Sequence, residues 1–137
     1  MTNAIITVRG YQYINGEEDV IELKTQGKFG LKDGKFYIKY SEQDEFGIET
    51  QTLIKVSDSQ TLLQRSGGTE SRMVIEVGKR NCCLYSAQGA GLMLEIYGEH
   101  IENSLTCFGG NLTLEYSILT NSTLLSQNKT EITVKEV

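Results

Sequence analysis

Residues 112–118 read Leu-Thr-Leu-Glu-Tyr-Ser-Ile, with Leu112, Leu114, Tyr116 and Ile118 on one phase of a two-residue period and Thr113, Glu115 and Ser117 on the other. A segment of this kind is a β-strand with one dry face and one wet face. The same alternation returns along almost the whole chain. Ile21, Leu23 and Thr25 alternate with Glu22 and Lys24; Phe36, Ile38 and Tyr40 with Tyr37 and Lys39; Thr50, Thr52, Ile54 and Val56 share a phase. Met73, Ile75 and Val77 alternate with Arg72, Val74 and Glu76, and Ile132 and Val134 extend back through Thr130 and Asn128. Between these segments stand turn formers: Asn15-Gly16, Lys32-Asp33-Gly34, Asp58-Ser59-Gln60, Gly67-Gly68-Thr69-Glu70 and Gly109-Gly110-Asn111. Asn-Gly and Asp-Gly are hairpin signals because both central residues of a type I′ turn need positive φ.

No window places apolar residues at helical spacing better than it fits a strand. The pattern predicts a single antiparallel domain over residues 1–137, with about eight to ten strands and no long helix. A sheet of that many strands rarely stays open, and closing it removes the exposed edges, so a closed barrel is expected ahead of a sandwich. Two places resist assignment. Leu62-Leu63 leaves the inward face of strand 61–66 undecided, and Lys79–Gly91 is the least regular stretch. In 101–107, Ile101, Asn103, Leu105 and Cys107 share a phase, with the following hairpin placed at Gly109-Gly110-Asn111.

The chain has 137 residues, a net charge of −5 and no proline. That length supports one hydrophobic core, and the absence of proline permits long uninterrupted ladders. Acidic and basic residues are scattered without a basic stripe, which argues against nucleic acid and anionic membranes as partners. The start lacks a signal-peptide pattern and no apolar run is long enough for a membrane helix, so a cytoplasmic setting is expected. The three cysteines, Cys82, Cys83 and Cys107, suit reduced thiols better than a disulfide framework.

Catalytic signatures are sparse. His100 is the lone histidine, in Tyr97-Gly98-Glu99-His100, and nothing else completes a triad with Ser104 or Cys107. Cys82-Cys83 lacks the spacing that lets two thiolates reach one tetrahedral ion, so no metal and no cofactor is expected. Gly67-Gly68 and Gly89-Ala90-Gly91 lie between strands and open no helix, so neither cradles phosphate. The acids Asp44, Glu45 and Glu49 fit a solvated loop.

The more informative residues are polar ones on otherwise apolar phases: Thr25, Tyr40, Thr50, Thr52, Asn103, Tyr116, Asn128 and Thr130. An apolar cavity with a few fixed polar groups is the usual form of a small-ligand site. The competing reading is a filled barrel whose polar groups bond to one another, to backbone or to buried water. Arg65 and Arg72 each adjoin a Gly/Ser turn at a barrel rim. If Leu63 faces inward so does Arg65, and its guanidinium then requires a carboxylate, from Glu22 or Glu76, or an anionic ligand.

Several stretches resemble a bacterial family of unknown function, the YwiB-like proteins. They are Val20-Ile21-Glu22-Leu23 with Thr25 and Gly27, Thr52–Val56, Leu63–Gly67, Arg72–Gly78, and the tail from Gly109-Gly110 through Leu114-Glu115-Tyr116 to Glu131–Val134. Where that family carries a Thr-Pro-Tyr-Gly-like turn, this chain has Ser86-Ala87-Gln88-Gly89, so no role tied to that turn carries over. The resemblance implies a calycin-like (lipocalin-like) barrel and supplies no activity.

Together these readings favour a noncatalytic barrel that binds a small, partly apolar molecule through Arg65, Arg72, Tyr40, Thr52, Asn103, Tyr116 and Asn128. The alternative is an interaction or assembly module, a homodimer included, that uses outward apolar residues such as Tyr37, Val74 or Leu119. A small hydrolase-type enzyme is third.

Overall fold

The computed structural model describes residues 1–87 and 89–137. Ten antiparallel strands follow one another around a ring: β1 (Thr2–Ile14), β2 (Glu17–Lys32), β3 (Lys35–Gln43), β4 (Glu49–Val56), β5 (Thr61–Gly67), β6 (Thr69–Ile75), β7 (Arg80–Ala87), β8 (Ala90–Asn103), β9 (Gly109–Thr120) and β10 (Thr123–Glu136). Each pairs with its sequence neighbours, and β1 pairs with β10 from Ala4↔Glu136 to Tyr13↔Gln127, closing the barrel. The expectation of a closed antiparallel barrel with no long helix is met among the described residues.

Alternation decides what fills it. Phe29, Ile38, Ile54, Leu63 and Met73 lie side by side across β2 to β6, and Leu112 and Ile132 meet across β9 and β10. Ile6, Ile38, Ile54, Ile75, Ile96, Leu112 and Leu114 are completely buried, so the middle of the barrel is packed solid. Each such side chain stabilises the fold by roughly 1.5–3 kcal/mol, as an upper estimate. At the end holding both termini, Phe29 stacks on Phe36 with ring centroids 5.9 Å apart. The opposite end is ringed by the β1–β2, β3–β4, β5–β6, β7–β8 and β9–β10 connections.

Three turns have the positive-φ pair of a type I′ hairpin: Asn15-Gly16 (51° and 79°), Asp33-Gly34 (53° and 75°) and Asn121-Ser122 (50° and 64°). The first two match the sequence signals, whereas the third uses serine where glycine is usual.

Elsewhere the structure corrects the sequence reading. Strand β6 ends at Ile75, so Val77 is not inward but 54% exposed, forming a parallel bridge to Gly98. The reversal before β9 falls at Ser104–Phe108, not at Gly109-Gly110-Asn111: Thr106 and Gly109 exchange backbone bonds of 2.7 and 3.0 Å. That turn leaves Cys107 exposed, while Leu105 stays buried. The irregular Lys79–Gly91 stretch contains β7, which pairs fully with β8 but with β6 only at Thr69–Ser71. In the Ser86–Gly89 turn, Gln88 lies outside the described residues.

Where β6 and β7 separate, the chain after β6 packs on Gly98 instead. Gly78 N–H donates to the Gly98 carbonyl at 2.9 Å and Gly98 N–H donates to that of Lys79 at 3.2 Å. The backbone of Glu76 occupies the space a Cβ at position 98 would need. Gly98 also marks a register shift between β8 and β9. Gly98→Ala is therefore expected to lower unfolding stability by about 1–3 kcal/mol, because rigid backbone must move aside; urea denaturation of the variant beside wild type measures it.

Candidate functional site

The apolar belt gives out toward the mouth. Inward phases that begin with Val8, Leu23, Ile38 and Ile132 run upward into Gly10 and Gln12, Ile21 and Asp19, Tyr40 and Glu42, and Thr130 and Asn128. These residues, with Ile54, Leu63, Arg65 and Tyr116, line a cavity of about 300 Å³. A second lobe of about 180 Å³ opens between the β3–β4 loop and the β5–β6 turn, lined by Gln43, Asp44, Ile48, Thr50, Gly68, Thr69 and Ala87. Glu42 and Arg65 belong to the walls of both lobes.

Leu63 is buried, which settles the facing of β5 and turns Arg65 inward. Glu22 is engaged outside the barrel by Arg9 at 2.8 Å, and Glu76 lies 3.4 Å from Lys79, so neither serves Arg65. Among the described residues Arg65 forms no ion pair, and neither does Glu42 or Asp19. A half-buried guanidinium without a carboxylate keeps its donors free for water or for an anion.

Register places Tyr40 beside Thr52 and Thr52 beside Arg65. Thr52 is 1% exposed, and among the described residues its Oγ1 meets no partner at full hydrogen-bond geometry, the Tyr40 hydroxyl being its polar neighbour. Burial pushes the Tyr40 phenol above its ordinary pKa, with Glu42 and Tyr116 acting in the same direction, while Arg65 and the neighbouring Thr52 hydroxyl pull it down. Tyr40 therefore stays a neutral hydroxyl, able to donate a hydrogen bond. Cys83, inward on β7, has its thiol pushed up by burial, offset in part by the Arg72 backbone. A thiol in that environment is a poor nucleophile.

Of the residues singled out by sequence, Arg65, Tyr40, Tyr116 and Asn128 meet at the cavity, and Thr52 is the buried strand neighbour of Arg65 and Tyr40 without lining it. Arg72 does not join them: it is exposed on the outer face opposite Gln64, because Met73 and Ile75 claim the inward phase. Asn103 has the inward phase but the wrong height. It sits at the far end, near Asp58 and Lys79, where its side chain accepts the Leu105 N–H at 3.0 Å. Sequence reasoning missed Gln12, Asp19 and Glu42. Asp19 and Glu42 each lie two residues beyond a recognised inward position, Ile21 and Tyr40, so extending the alternation would have found them, and Gln12 continues the Val8 phase past Gly10.

Other chemistry-bearing groups are dispersed. His100 stands on the outer wall with Nε2 3.8 Å from Glu102, and Glu99 accepts a hydrogen bond from Ser117. Asp44 accepts the backbone N–H groups of Phe46 and Ile48 at 2.8 and 2.9 Å, which holds its loop. Among the described residues no three His, Cys, Asp or Glu side chains converge to hold a metal ion.

Fold and site together define a closed ten-stranded barrel with a packed centre and a polar cavity at one mouth. Residues 6–132 match the model of a domain of unknown function, DUF1934, and the chain belongs to that family. It is 27% identical over 104 residues, 76% of this chain and 72% of the relative, to an uncharacterised β-barrel protein, YwiB, of Bacillus subtilis. The crystal structure of the Bacillus subtilis ywiB protein superposes with a TM-score of 0.89, covering 99% of this chain and 92% of that one at 24% identity, a likeness of fold.

The raised Tyr40 pKa carries a pH signature. Below pH 10, its ordinary value, both folded and unfolded chains keep the phenol protonated; above it the unfolded chain ionises first, so stability falls as pH rises through the folded value. Tyr40→Phe should show a shallower loss of stability above pH 10 than wild type, measured by denaturant titration at stepped pH. Equal slopes would remove the burial argument.

Proposed function

We propose that this protein is a noncatalytic carrier or sensor that binds a small, partly apolar molecule in the mouth of the barrel, with its polar head on Arg65. The observation that carries the reading is the half-buried Arg65, without an ion pair among the described residues, in one cavity wall with the neutral Tyr40. Burying a guanidinium without a partner costs stability, and such costs concentrate where a ligand repays them. Ile54, Leu63, Val8, Leu23 and Ile132 offer the ligand an apolar bed. A cavity of about 300 Å³ lies at the lower bound of small-molecule sites, which suits a metabolite over a lipid.

A cytoplasmic setting belongs to the same reading. The outer wall carries charged side chains such as Arg9, Glu22, Lys24 and Lys39 while the interior is apolar, the reverse of a barrel that faces lipid. The three cysteines are unpaired.

Native mass spectrometry of the protein purified from its own host tests the proposal. The expected result is a copurifying small molecule that Arg65→Met loses, with unfolding stability of the variant unchanged or raised by about 1 kcal/mol. A bare mass for wild type together with a large destabilisation of Arg65→Met would instead make Arg65 a structural residue.

A further inference from the structure

Charge at the mouth is not purely cationic. Glu42 shares both lobes with Arg65, and Asp19 lines the larger of the two, yet among the described residues none of the three is ion-paired. A ligand carrying only negative charge would be drawn to Arg65 and repelled by two carboxylates on the same rim. A simple cation would meet the opposite conflict. A ligand with both signs satisfies both sides, because a carboxylate takes the guanidinium while an ammonium takes the glutamate.

We infer that the ligand is a small zwitterion of the apolar α-amino-acid type, its carboxylate on Arg65 and the Tyr40 hydroxyl, its ammonium on Glu42. The inference rests on the interior-binding reading above and narrows it to one chemical class. Tyr40 is the second observation: a side chain only 6% exposed, it lines the same cavity as Arg65 and Glu42 and offers a neutral hydroxyl there. Glu42 and Arg65 both act on the Tyr40 hydroxyl from opposite signs, which places a positive and a negative centre around one neutral donor. The apolar side chain of the ligand then extends onto Ile54 and Leu63.

Three probes with one apolar body separate the outcomes: L-phenylalanine (both charges), 3-phenylpropanoate (carboxylate only) and phenethylamine (ammonium only). Isothermal titration calorimetry on the full chain should show phenylalanine binding at least about tenfold more tightly than either half-probe. Glu42→Gln should lower phenylalanine affinity by about tenfold and leave 3-phenylpropanoate unchanged or stronger, while Arg65→Met weakens both. Circular dichroism checks that each variant keeps the barrel. If either half-probe binds as well as phenylalanine, the zwitterion inference is overturned and interior binding stands. If none of the three binds at millimolar concentration and none shifts the amide resonances of β3 to β5, both inferences fall.

Discussion

The ladder between β1 and β10 is the constraint on which the rest of this structure depends. It joins the first strand of the chain to the last and converts a ten-stranded sheet into a ring. Without it, both long terminal strands would present unpaired N–H and C=O groups along their length, an invitation to pair with other chains. Closure also defines an inside. Once the ring is shut, the alternation of every strand sends one set of side chains to a common axis, and their summed volume decides whether the centre is solid or hollow.

The two halves of that axis are filled differently. Toward the termini, isoleucine, leucine and phenylalanine interdigitate with no space left, and this belt supplies the apolar burial that holds the ring. Toward the mouth the inward positions change to Gln12, Asp19, Glu42, Arg65, Asn128 and Thr130, which line an open cavity. Polar side chains that line an open cavity keep hydration and conformational freedom, so they contribute less to stability than the apolar belt. The separation matters for function: substitutions at the mouth are insulated from the belt by Ile54, Leu63 and Ile132, which form its floor.

Much of this was legible in the chain because alternation is a local property. Leu112 to Ile118, Phe36 to Tyr40 and Thr50 to Val56 declare their inward faces without any partner, and Asn15-Gly16 and Asp33-Gly34 declare their turns. What alternation lacks is height along the barrel, which follows from register between strands and hence from pairings across long sequence distances. Asn103 shows the difficulty: its phase is inward, yet register places it opposite Leu112 at the far end from Arg65. Arg72 fails for another reason, since a turn neighbour can take either face and only Met73 and Ile75 decide which. Leu62-Leu63 was ambiguous from sequence because both neighbours are apolar; the pairing Ile54↔Leu63 resolves it, and Arg65 follows. The Asn121-Ser122 turn escaped notice because serine rarely adopts its positive φ of 64°.

The cavity should then be weighed by what its empty state costs. An unpartnered buried hydroxyl such as that of Thr52 forfeits about 1–3 kcal/mol relative to a satisfied one. Among the described residues Thr61 carries the same deficit, between Val56 and Ile75. The two threonines thus differ in prospect. Both strand neighbours of Thr61 are apolar and neither lines the cavity, so nothing entering the mouth bears on its hydroxyl. Thr52 lies in register between Tyr40 and Arg65, two residues of the cavity wall, so an occupant that shifts either side chain can bring its hydroxyl a partner. A polar group whose neighbours line a cavity, one of them a charge without an ion pair, is what separates the edge of a binding site from an imperfection of packing.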